Sequence, residues 1–138
     1  MDHVPKAVRS RIMASVRSRG NTTTEMRLGK LLWAAGIRGY RKHWHILGKP
    51  DFAWPKRKLA VFVDGCFWHG CRCKRLPKSN KKFWRDKIDT NKCRDLRITR
   101  MLRRDGWTVI RVKECAVAKQ STVTRIRLAL SYARKALA

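Results

Sequence analysis

Asp51-Phe52-Ala53-Trp54-Pro55-Lys56-Arg57-Lys58-Leu59-Ala60-Val61-Phe62-Val63-Asp64 is the stretch on which the fold turns. Its two apolar runs, Asp51 to Trp54 and Lys58 to Val63, are joined by the short turn Pro55-Lys56-Arg57. So tight a connection between strands makes an antiparallel hairpin. Residues equidistant from a hairpin turn lie opposite each other, which places Asp51 near positions 63 and 64. Asp51 and Asp64 are therefore expected to meet at one sheet edge. Two hard carboxylates at such an edge suit Mg²⁺, which takes few protein oxygens and keeps waters for phosphate chemistry. Taken singly, each aspartate reads as a strand-end or turn residue.

The strand runs on into Gly65-Cys66-Phe67-Trp68-His69-Gly70-Cys71-Arg72-Cys73. Three cysteines here, with Cys115 downstream, can supply four thiolates to one structural Zn²⁺. Their spacing is not that of a standard zinc knuckle. Cys93, between Lys92 and Arg94 on a helix, is read as a free thiol. Phe67, Trp68 and His69 would be held rigidly between the ligands. The two rings are either buried or presented as a wedge for a base stack.

Residues 6–18 read as a basic helix, with Val8, Ile12, Met13 and Val16 on one stripe. Its arginines, those flanking Ser10 and Arg17 among them, are candidates for phosphate contacts, although a solvated helix face would look the same. Thr22 and Glu25 fit a capping box for the next helix, which buries Met26, Leu28, Leu31, Leu32 and Ala35. Glu25 either serves that cap or reaches a metal from the first turn. Tyr40 to Ile46 is expected as a strand. A long helix spans residues 79–104, capped by Ser79 or Asn80. Asp95 on it either pairs with Arg94, Arg97 and Arg100 or orients His69 as a general base. Asp105-Gly106 stops the helix. Trp107 to Val112 is a buried strand, and Ser121 to Ala138 an amphipathic helix.

The 138 residues fit one domain, 1–138, with residues 1–20 as a basic helical arm. Lys and Arg number 35 against 9 acids, a net charge of +26, so a polyanion is the expected partner. No apolar run approaches a membrane span and the N-terminus lacks an apolar signal core, so a cytoplasmic protein is expected. In a reducing compartment its five cysteines argue for metal over disulfides.

Several of these stretches together resemble the very-short-patch-repair (Vsr) mismatch endonucleases. They are Thr24-Glu25, Lys49-Pro50-Asp51-Phe52, Val63 to His69, Phe83-Trp84, Asn91, Arg94-Asp95, Gly106-Trp107 and Glu114-Cys115. The resemblance implies an α/β, restriction-endonuclease-like core, a mixed central sheet flanked by helices, with a structural zinc site. It implies Mg²⁺-dependent nicking 5′ to the thymine of a T·G mismatch in double-stranded DNA, by a monomer, with other mismatch-repair proteins as candidate partners. It makes Asp51 the main ligand of one or two Mg²⁺ ions and the Val63 main-chain oxygen another. His69 becomes the general base with Asp95 behind it, and Glu25 a contributor through water or the basic helix. One Zn²⁺ would sit on Cys66, Cys71, Cys73 and Cys115. Phe67, Trp68 and Trp84 would form the wedge, with Asn91 also at the DNA.

Val63 stands where the family can carry a hydroxyl residue, and Asp64 where it can carry histidine. Asp64 thus joins the catalytic candidates with its role open. Two other readings remain in view. One is a nicking, restriction or mobile-element endonuclease acting on paired DNA. The other is a non-catalytic, zinc-stabilised DNA-binding protein.

Overall fold

The computed structural model describes residues 24–66 and 77–137, with side chains described as far as residue 132. The expected helix over residues 6–18, with Ser10 and Arg17 on it, the Thr22 cap, Phe67, Trp68, His69, Cys71 and Cys73 lie outside the described residues.

Helix α1 covers residues 24–34. Strands β1 (Arg41–Lys42), β2 (Phe52–Trp54) and β3 (Leu59–Asp64) follow, then helix α2 (Lys81–Arg104), strand β4 (Thr108–Lys113) and helix α3 (Gln120–Leu137). The sheet order is β1-β2-β3-β4. β1, β2 and β3 are antiparallel neighbours, whereas β4 runs parallel to β3. A parallel neighbour requires a crossover, and α2 supplies it. The result is the mixed α/β sheet flanked by helices that the sequence led us to expect.

The β2–β3 hairpin forms as read. Pro55–Arg57 makes a 3₁₀ turn, with proline in its first turn where no amide hydrogen is needed. Lys58 then takes a left-handed conformation (φ 50°) that reverses the chain. Phe52 faces Val61 and Trp54 faces Leu59.

β3 is apolar on both faces because both are covered. Leu59, Val61 and Val63 share a core with Leu28 and Leu32 of α1 and Ile126 and Leu130 of α3. The intervening Ala60 and Phe62 pack with Leu102 and Val109, and with Ile98, beneath α2. Such alternation along a central strand sends successive side chains to opposite helical layers.

Several expectations shift. The strand expected over Tyr40 to Ile46 is only two residues long, because His43 adopts a left-handed backbone (φ 52°). Tyr40 instead packs edge-on against Phe52 and Trp54, with centroids 5.1 and 5.8 Å away. Asn80 precedes α2 in a left-handed conformation and its side chain caps nothing. Met26 is half exposed rather than buried, and Leu128 and Tyr132 of α3 face solvent. Gly106, at φ 90°, follows α2 where the Asp105-Gly106 stop was expected.

Candidate metal centre and catalytic cleft

The hairpin delivers Asp51 where its register requires. Asp51 Oδ2 accepts a hydrogen bond of 2.6 Å from the Val63 amide. Burial dominates its electrostatics and pushes its pKa from 3.8 up to about 6. The Val63 amide and His43 work against that rise, whereas Glu25 and Asp64 add to it.

Glu25 comes from the first described turn of α1 and is 5% exposed. His43 Nε2 lies 3.1 Å from its Oε2, in hydrogen-bonding geometry. Its Oε1 is 3.1 Å from Lys42 Nζ and 2.9 Å from His43 Nε2. Neither contact has hydrogen-bond geometry at Oε1, which alone among buried side-chain oxygens and nitrogens of the described residues has no such partner. Distance and angle disagree here, and the angle matters more, because a misaligned contact gives charge attraction without a lone-pair bond.

Ligand atoms of Glu25, His43 and Asp51 all lie within 4.8 Å of one another. Two carboxylates and an imidazole around one point, one carboxylate oxygen still lacking a hydrogen bond, fit a divalent cation. His43 was missed in the sequence. The signal was there: Lys42 pairs with Phe52, so one further step along the ladder sets His43 beside Asp51. The His43 amide does approach the Asp51 carbonyl at 3.4 Å.

Asp64 lies at the same sheet end but in different company. Arg111, on β4, bonds Asp64 Oδ1 through Nη1 at 2.9 Å and Thr99 Oγ1 through Nε at 2.8 Å. Its Nη2 donates to the Asp95 carbonyl at 3.3 Å, and Asp95 Oδ1 is 3.8 Å from Nη1. The guanidinium sits 4.3 Å over the Phe62 ring. Arg111 of β4 therefore lies against Asp95, a position for which the sequence offered Arg94, Arg97 and Arg100. A cleft of about 460 Å³ joins the two groups; Lys49, Asp51, Val63, Asp64, Asp95 and Arg111 all line it.

Glu114 ties this end together. One carboxylate oxygen accepts from Thr24 Oγ1 at 3.2 Å, and the other from the Cys66 amide at 3.3 Å. Cys66 is buried, and its sulfur accepts from the Cys115 amide at 3.3 Å. The two described members of the cysteine set thus come together. Among the described residues Cys66, Cys93 and Cys115 form no disulfide, and Cys93 is exposed.

Two of the expected DNA-facing residues point inward. Trp84 is 7% and Asn91 5% exposed, because both lie on the covered face of α2. Phe83, stacked edge-on against Trp84 at 5.0 Å, is the half-exposed ring.

The family described as DNA mismatch endonuclease Vsr matches residues 1–75. The chain belongs to the Vsr family. It is 42% identical over 125 residues to type II nicking enzyme V.NmeDIP of Neisseria meningitidis serogroup C, covering 88% of this chain and 84% of that one. Type II nicking enzyme V.XorIIP of Xanthomonas oryzae pv. oryzae is 41% identical over 120 residues, 85% of this chain and 87% of its own. The Vsr mismatch endonuclease of Escherichia coli K12 is 35% identical over 121 residues, 86% of this chain and 77% of its own. As a Vsr protein the chain is a DNA endonuclease. Among the described residues no helix is long and apolar enough to cross a membrane.

Proposed function

We propose that this Vsr protein nicks one DNA strand 5′ to the thymine of a T·G mismatch in a Mg²⁺-dependent hydrolysis. The observation that carries the reading is the meeting of Glu25, His43 and Asp51 at the end of the hairpin. Asp51, the Val63 carbonyl, Glu25 and His43 would hold the cation. Bound there, Mg²⁺ supplies charge neutralisation for the scissile phosphate and for the departing 3′-oxygen.

In the hydrolysis a water oxygen forms a bond to phosphorus as the bond to the 3′-oxygen breaks. The water proton goes to His69, acting as general base, with Asp95 holding the imidazole. Arg111 keeps Asp64 and Asp95 in place along the cleft wall. Phe67 and Trp68 supply the wedge at the wobble pair, whose weak stacking lowers the cost of insertion. Cys66, Cys71, Cys73 and Cys115 hold one Zn²⁺; the approach of Cys66 to Cys115 supports this.

Relatives named as type II nicking enzymes favour a second reading, in which correctly paired DNA is also cut. One assay separates the two: end-labelled duplexes, identical except for T·G, T·A or C·G at one position, incubated with Mg²⁺ or EDTA. Nicking of the T·G duplex alone, only with Mg²⁺ and abolished in His69→Ala, is expected. Equal cutting of all three duplexes would establish the second reading, and an active His69→Ala would remove the base assignment. For zinc, metal analysis of chelator-washed protein should give about one ion per chain; a metal-free, fully folded chain would refute the cysteine site.

A further inference from the structure

The other end of the sheet carries a second and larger cleft, of about 730 Å³. It lies between the C-terminal end of α1, the Pro55–Arg57 turn and α3. β3 runs six residues from that turn to Asp64, so the two sheet ends are roughly 17 Å apart. Arg38, Arg41, Lys56, Arg57 and Arg127 line the cleft, and none of the described lining residues is acidic.

Three of the arginines are held in place. Arg38 Nη1 donates to the Trp33 carbonyl at 2.8 Å, with its guanidinium 3.3 Å over the Trp33 ring. Arg127 Nη2 donates to the Ala35 carbonyl at 2.8 Å, and Arg57 Nη1 to the Leu130 carbonyl at 3.2 Å. These acceptors are neutral. They fix the guanidinium planes, and no acid among the described residues pairs with these charges, which leaves donors to spare. Arg41 and Lys56 are exposed and have no hydrogen-bond or ion-pair partner among the described residues. Fixed, unpaired guanidiniums match phosphate oxygens in geometry as well as in charge.

The catalytic end offers phosphate less free positive charge. Five of the chain's nine acids, Glu25, Asp51, Asp64, Asp95 and Glu114, gather there, and its cleft sets Asp51, Asp64 and Asp95 against Lys49, Arg94 and Arg111. We propose that the basic cleft is a second phosphate-binding site, which grips the DNA backbone outside the catalytic cleft and supplies salt-dependent affinity. This rests on the chain acting on DNA, not on which base pair it cuts.

The test uses the exposed pair, in Arg41→Ala/Lys56→Ala, with Arg41→Glu/Lys56→Glu as the stronger variant. Binding of a labelled duplex is measured in EDTA between 50 and 200 mM salt, and nicking is measured with Mg²⁺. Each lost phosphate contact flattens the plot of log K against log salt by about 0.9, so the alanine variant should lose roughly 1.8 from the slope. Its KM for duplex should rise about tenfold while kcat stays within twofold. The glutamate variant should go further in the same direction. An unchanged slope in both variants overturns the proposal and leaves the cleft to a different, acidic partner. A fall in kcat with KM unchanged overturns it too, by placing the cleft in the cleavage step. If the wild type binds duplex but never nicks, the proposed function fails while the slope comparison still decides this site.

Discussion

The two ends of the central sheet treat charge in opposite ways. At the carboxyl end of β3, acids are concentrated and mostly answered: Asp51 by an amide, Asp64 by Arg111, Glu25 by Lys42 and His43. At the turn end, cations are concentrated, and three of them are held by neutral groups, the carbonyls of Trp33, Ala35 and Leu130 and the Trp33 ring. With a net charge of +26, acids are scarce, yet five of the nine gather at one end, where Glu25, His43 and Asp51 fit a divalent cation. The proposed division sets chemistry at that end and grip on the substrate at the other.

Asp51→Asn should break the acidic end most severely. Nicking is expected to fall about 10³-fold, read in single-turnover assays with Mg²⁺. The same variant should change stability in the opposite sense. Burial raises the folded pKa of Asp51 above its unfolded value, so the folded chain holds that proton more tightly. The stabilisation is complete below pH 3.8 and is lost as pH rises through about 6. In EDTA, Asp51→Asn should therefore melt like wild type at pH 4 and above it at pH 8. Mg²⁺ should raise the wild-type melting temperature at pH 8 and leave the variant unmoved. A variant less stable than wild type at pH 8 would show that the Val63 bond outweighs desolvation.

Arg111→Met comes next. It removes the guanidinium 2.9 Å from Asp64 Oδ1, at an expected cost of about 2 kcal/mol. This lies below the 3–5 kcal/mol typical of fully buried pairs, because Arg111 and Asp64 remain 21% and 14% exposed. Adding Asp64→Asn should recover about 1 kcal/mol, since the stranded charge is gone. Urea titrations of the two single variants and the double variant measure this, and strict additivity would remove Arg111 as the partner of Asp64.

The smallest expected effect lies in the loop that carries Asp51. Gly48 has φ 82°, and a Cβ there would sit 2.7 Å from Ile98 Cγ2 and 3.2 Å from the Phe62 ring. Gly48→Ala should cost about 1–2 kcal/mol, with a partial loss of nicking from displacement of Asp51. Wild-type urea stability would mean the loop repacks freely and does not position the carboxylate.

Much of the catalytic end was legible along the chain. The hairpin between residues 51 and 64 has strong local signals, so its register, and with it the Asp51–Val63 contact, could be read from the turn outward. The long helix and its stop at Asp105-Gly106 were equally plain. Trp84 and Asn91 were placed at the DNA by resemblance, whereas the helix turns both inward. That outcome depends on the helix's rotation against Phe62 and Val109, which the pattern of α2 leaves loosely set.

The sequence by itself determined the α/β order, the hairpin, the aspartate at its end and the polyanion partner, because each rests on neighbours in the chain or on total charge. Only the tertiary structure decided that His43 joins Glu25 and Asp51, that Arg111 binds Asp64, and that five cations from the segment after α1, β1, the hairpin turn and α3 share one cleft. Those groupings are made by segments far apart along the chain, and the forces that bring them together come from burying the sheet between its helices rather than from any local preference.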